Sequence, residues 1–221
     1  MTEIRDLPYY DLRKVRSVSE AANIRIIEDV ALVVFPKECD EELFQALRQI
    51  PMEEVAATIE LDKDDKIKVF NGITELTDDD FKDQCTVVCV NGVCFIKDVK
   101  PTTKGIVIMN GMLLLQESMK GNTALEFPII NGKRYYIDAE RMLSYDNKVC
   151  ISERFLDYIK PKTVIVAGNK IQIESRVTVD EIEKTKVILV AMNKIVCSIK
   201  LAGYISNVAI FGNKVEVDEI D

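Results

Sequence analysis

Apolar residues in this chain come in short unbroken runs, and polar turn residues close each run. The runs read I-K-V-F-N-G (Ile67 to Gly72), V-V-C-V-N-G (Val87 to Gly92), I-V-I-M-N-G (Ile106 to Gly111) and F-P-I-I-N-G (Phe127 to Gly132). Further copies end in Gly-Asn, V-I-V-A-G-N-K (Val164 to Lys170) and V-A-I-F-G-N-K (Val208 to Lys214), with a degenerate V-I-L-V-A-M-N-K from Val187 to Lys194. Asn71, Asn91, Asn110 and Asn131 fall about twenty residues apart, the period of a small structural repeat. Each unit predicts a short strand, an Asn/Gly turn, a second short strand and a polar link. The second strands begin at Val93, Met112, Lys133, Ile171, Ile195 and Val215, and Lys148–Ser152 fills the gap between units.

Two architectures satisfy this pattern, and both make the chain all-β with a minor helical part. In the preferred one, each pair is a corner of a parallel β-solenoid with coils of about twenty residues, because links of similar length suit a constant rise. In the alternative, every Asn-Gly is a type I′ hairpin turn and the chain is an antiparallel meander or sandwich. The first 60 residues read as a polar cap with short strands, continuous with a repeat body over 61–221. Its best helix lies at 39–50, where Leu43, Phe44, Leu47 and Ile50 share a face, Asp40 caps and Pro51 stops.

The runs do not alternate apolar with polar, which predicts burial on both faces. A solenoid strand has one inward face, so the outward apolar positions need a cover. Val87, Val88, Val90, Val93, Phe95, Ile106, Ile108, Leu113 and Leu115 are therefore the expected interaction face, closed by a second copy, a protein partner or an intramolecular helix such as Leu43 to Ile50.

Composition narrows the chemistry. The 221-residue chain has a net charge of -8, which argues against nucleic acid and anionic membrane as partners. It contains no His, so Ser-His-Asp and Cys-His catalysis within the chain are excluded, and zinc would rely on Cys and carboxylates alone. The N-terminus lacks an apolar signal core and no apolar run approaches a bilayer span, so a cytoplasmic location is expected.

The six Cys lie at 39, 85, 89, 94, 150 and 197. In the hairpin arrangement Cys89 and Cys94 oppose each other and form a candidate redox pair; otherwise they are reduced core thiols. The acidic runs Asp62–Asp65 and Asp78–Asp80 are solvated turns, lacking the spacing of a calcium loop. Lys133-Arg134-Tyr135-Tyr136 mixes basic and aromatic residues, but one such stretch in an acidic chain reads as a wet strand face. No nucleotide motif, metal motif or cofactor site is present. The expected function is non-enzymatic: a structural or interaction protein that forms a homo-oligomer or holds a protein partner. An acidic inhibitor or immunity-type protein binding a basic partner is the alternative, and a carboxylate-based carbohydrate-active protein the third reading.

Overall fold

The computed structural model describes residues 1–82 and 86–218. The N-terminal residues carry β1 (Thr2–Leu7), β2 (Tyr10–Asp11), α1 (Val18–Ala22), β3 (Ile24–Val30), β4 (Leu32–Pro36), α2 (Glu41–Arg48), β5 (Met52–Glu53) and β6 (Ala57–Leu61). They form two parallel sheets, β1-β3-β5 and β2-β4-β6. The middle residues form β7 (Lys66–Leu76), β8 (Thr86–Ile96), β9 (Gly105–Gln116) and β10 (Leu125–Ile137), one parallel sheet in the order β10-β9-β8-β7. The C-terminal residues alternate short strands and helices. These are β11 (Arg141–Tyr145), β12 (Lys148–Ile151), α3 (Glu153–Tyr158), β13 (Thr163–Ala167), β14 (Lys170–Ile173), α4 (Val179–Thr185), β15 (Ile188–Ala191), β16 (Lys194–Cys197), α5 (Ile199–Val208), β17 (Ile210–Phe211) and β18 (Lys214–Val217). They build the sheets β11-β13-β15-β17 and β12-β14-β16-β18.

All the strand pairs among the described residues are parallel, which overturns the antiparallel alternative. The middle Asn-Gly pairs are not hairpin turns. Asn91 pairs with Asn71 and Asn110, and Gly92 with Gly72 and Gly111, in the interior of long strands. The glycines hold φ of +137° at Gly92, +131° at Gly111 and +149° at Gly132, so the chain bends there without leaving the sheet. A Cβ on any of these three would overlap the carbonyl oxygen of the glycine one rung before. Glycine is therefore required by both conformation and close approach. In the C-terminal part the same motif becomes a corner between two strands, with Asn147, Asn169, Asn193 and Asn213 on successive rungs. Their amides bond in series, Asn169 to Asn147 at 3.1 Å, Asn193 to Asn169 at 3.0 Å and Asn213 to Asn193 at 3.4 Å.

The two-sided burial read from the apolar runs has a specific basis. Along β8 and β9, Val88, Val90, Cys94, Ile96, Val107, Met109, Leu113 and Leu115 face inward against Phe81, Met119 and Leu125 of the links and of β10. The opposite face is divided at the glycines. Val87, Cys89 and Ile108 pack on Leu32, Val34 and Ala57 of the N-terminal sheets, with half-buried Ile106 beside them. Val93, Phe95 and Leu114 pack on Val164, Val166 and Val190 of the C-terminal sheets. Burying each large side chain contributes about 1.5–3 kcal/mol. The expected interaction face is thus corrected: among its members only Ile106 retains partial exposure, Val88, Val90, Leu113 and Leu115 face inward, and this chain's own flanking sheets cover Val87, Val93, Phe95, Ile106 and Ile108.

Several helices match their local signals. α2 begins after Asp40, which accepts from the N–H of Glu42 at 2.9 Å and carries Leu47 into the core. α4 opens on a capping box in which Thr178 and Glu181 bond reciprocally.

Candidate functional site

The division of the middle sheet leaves a cleft where the N-terminal cover ends. Alternation along the middle strands sends Asn71, Asn91, Asn110 and Asn131 to the divided face, at the gap between the covers. The four stack in register, and the Asn91 amide donates to Asn71 Oδ1 at 3.0 Å, the one amide–amide bond among them in the described residues. These four residues form one wall of a cleft of about 540 Å³.

Asp6, Asp29 and Glu54 line the facing wall, with Pro8 and Ala31 between. Arg5 pairs with Glu28 and Glu28 with Glu53, so the next residues, Asp6, Asp29 and Glu54, occupy one corner of successive rungs. All three have left-handed φ, 55°, 52° and 52°, which turns each strand into the next segment. Asp tolerates that conformation through its short polar side chain; Glu54 holds it at greater cost. Stacked strands lie about 4.8 Å apart, so the three carboxylates form a column. None has an ion pair or hydrogen bond among the described residues, although Arg5 and Arg25 pair with Glu3 and Glu28 close by. The cleft therefore sets a column of unneutralised acids against a column of amides that can donate and accept.

The other acidic runs have local work. In the turn after β6, Asp65 Oδ2 accepts from the Asp62 N–H at 2.8 Å, and Lys37 pairs with Asp62 at 3.1 Å. Arg13 donates to the Asp62 and Asp65 carbonyls and pairs with Asp11 at 2.9 Å. Asp78 accepts from the Thr103 hydroxyl at 2.7 Å and the Lys100 N–H at 2.9 Å, and these bonds, Thr103 first, hold its carboxyl below the ordinary range. Asp80 closes a capping box with Thr77. No group of three or more Cys, Asp or Glu among the described residues is arranged to hold a metal ion.

Cys89 and Cys94 are free thiols on one strand, in separate clusters on opposite faces of the sheet. Cys89 lies opposite Val69 and Ile108 instead, so the parallel register removes the pairing on which the redox reading depended. Burial pushes the Cys89 thiol up to about 12 and raises Cys94 as well. Cys39 and Cys150 are exposed, Cys197 is buried, and Cys85 lies outside the described residues. Lys133 to Tyr136 lie on β10, which among the described residues pairs only with β9; Arg134 sits 5.0 Å from the Phe127 ring and Lys120 5.6 Å from the Tyr136 ring.

The four cleft asparagines are legible in the sequence as a repeat signal but not as a site, and Asp6, Asp29 and Glu54 are not among the sequence-derived candidates. Their spacing of 23 and 25 residues is near the repeat period, and that is the signal that was available. No family model, no curated protein and no solved structure matches this chain. No helix among the described residues is long and apolar enough to cross a membrane.

Proposed function

We propose that the chain is a parallel β-solenoid, each coil made of two strands and a link, that works without catalysis as a protein-interaction module. Its working surface is the cleft between the column of stacked asparagines and the acidic column, and its partner presents an extended basic segment. The observation that supports this is the column of Asp6, Asp29 and Glu54, unpaired among the described residues and opening into a cleft rather than onto a convex surface. Stacked like charges repel by about 1 kcal/mol per neighbouring pair in water, and a cationic segment relieves that repulsion. The Asn amides opposite supply hydrogen bonds to the backbone of an extended chain.

Isothermal titration of an octalysine peptide at low and high salt tests the reading. Binding is expected at low salt, to weaken with added salt as exposed charges are screened. The triple variant Asp6→Asn, Asp29→Asn, Glu54→Gln is expected to lower affinity about tenfold or more at low salt. Affinity unchanged in the triple variant would remove the cleft from the proposal.

A further inference from the structure

The middle sheet climbs from β7 to β10, and the C-terminal sheets climb from β11 and β12 to β17 and β18, four rungs each. β7 touches β11, and a Cβ on Gly212, just past β17, would lie 3.5 Å from Met112 Cε on β9. The two stacks therefore rise side by side in the same direction. One end of the molecule presents β10, β17 and β18, and the other presents β7, β11 and β12. Among the described residues each of these strands has a neighbour on one side only. The N-terminal sheets are one rung shallower.

Open strand edges are templates for another strand, and here the two ends carry complementary groups. At the corner of each C-terminal coil an N–H donates one rung back: Gly168 to the Tyr145 carbonyl, Met192 to Ala167 and Gly212 to Ala191. Beside them Asn169 donates to the Asn147 carbonyl and Asn213 to Asn193, and past the second strand Asp218 donates to Cys197. On the last rung the carbonyls of Phe211, Asn213 and Val217 have no partner among the described residues. On the first rung the N–H groups of Asp146, Asn147 and Ser152 stand at the matching positions. The side-chain ladder has the same polarity. Each Asn amide donates one rung back, which leaves the Asn147 amide hydrogens and Asn213 Oδ1 unused. The middle sheet is matched at its glycines. Gly92, Gly111 and Gly132 each lie against the carbonyl oxygen of the glycine before, whereas nothing stands within 4 Å of a Cβ on Gly72. The Gly132 carbonyl is the seat for one more glycine.

We propose that a second copy of this chain stacks on the first, head to tail, with its β7 on β10 and its β11 and β12 on β17 and β18. Gly72 of the next copy takes the seat at Gly132, and its Asp146, Asn147 and Ser152 N–H groups reach the Phe211, Asn213 and Val217 carbonyls. Pro128, which has no N–H, lies in the bulge at the start of β10, so the middle ladder runs from Ile129 onward. The extended register sets Lys133 diagonal to Glu75 of the next copy and Glu216 diagonal to its Lys148. Neither lysine has an ion pair among the described residues. Leu125–Ile137 and residues 210–217 meet Lys66–Leu76 and residues 141–151, about twenty residues a side, the scale of a stable interface. Each copy offers a different end, so the contact propagates into an open filament. Four rungs set a rise of about 19 Å per copy. This assembly is independent of the cleft and its basic partner.

Sedimentation velocity of the full chain from about 1 to 100 μM, with electron microscopy of the heaviest fractions, tests it. The mass is expected to rise past the dimer with no fixed end point, in filaments of about 19 Å rise. Gly72→Ala puts a methyl where the Gly132 carbonyl of the neighbouring copy must lie. It is expected to weaken association tenfold or more while the monomer keeps its circular dichroism. Asn147→Asp keeps the acceptor that Asn169 uses and removes the donor to the next copy, and is expected to weaken association about fivefold. The proposal is overturned by a monomer throughout that range, by a closed dimer, by a filament of different rise, or by either variant associating like the wild type.

Discussion

At the scale of single residues, the middle glycines are set apart by what stands on the rung before them. Gly92→Ala and Gly111→Ala force a Cβ both into a left-handed φ and onto a neighbouring carbonyl oxygen. Each is expected to destabilise by about 3 kcal/mol. Gly72 has φ +90° but no atom within 4 Å of the added carbon, so Gly72→Ala is expected to cost about 1 kcal/mol. Urea unfolding of the three variants checks the order, and equal costs would mean that the close approach is not what requires glycine. The buried thiols give a second prediction. Cys89 stays protonated in the folded chain until about 12, against an ordinary 9.0. Above pH 9 the unfolded state releases this proton first, so stability is full below that point and falls as pH rises toward about 12. The slope from this thiol is about 1.4 kcal/mol per pH unit. It is measured as the pH-dependent difference between the wild type and Cys89→Ala, which is expected to be flat below pH 9.

At the scale of elements, the sequence carries the repeat period plainly and the geometry of each repeat poorly. Asn-Gly satisfies a hairpin turn as well as it satisfies a bend within a long strand, because both need positive φ at the glycine; only the neighbouring rung distinguishes them. The helix at 39–50 is legible because Asp40, a clear apolar face and Pro51 agree, and α2 occupies its centre. α5 is not legible. Its sequence I-K-L-A-G-Y-I-S-N-V mixes β-branched residues and glycine, and Ser198 does not cap it. α4 carries a usable signal, Thr178 three residues before Glu181, that the repeat pattern does not draw out. That box yields an element-level prediction. Thr178→Ala removes the bond to the Glu181 N–H and is expected to lower stability by about 1 kcal/mol, read from the urea midpoint. The acidic column of the cleft was hidden for a different reason. Asp6, Asp29 and Glu54 lie outside the apolar runs, and only the stacking of three rungs makes neighbours of residues so far apart in sequence.

At the scale of the whole molecule, the middle sheet is held from both ends of the chain. One half of its divided face lies on β4 and β6, and the other half on β13 and β15. Phe95 is completely buried at the second contact, and Phe95→Ala is expected to cost about 3–5 kcal/mol. If the three groups of sheets unfold as one unit, fluorescence and far-ultraviolet circular dichroism will move together in this variant; separated transitions would mean that the C-terminal sheets detach first. The burial of Val87 to Leu115 was legible in the unbroken apolar runs, whereas the identity of the cover was not. Long-range packing of Leu32 on Cys89, or of Val164 on Val93, leaves no local trace. This division of one face between two covers also imposes a timetable on the nascent chain. When β8 and β9 leave the ribosome, the N-terminal cover has already been made and the other has not. Val93, Phe95 and Leu114 must wait, sticky and bare, until translation reaches β15, so the interval between those two points is when this chain most needs a chaperone.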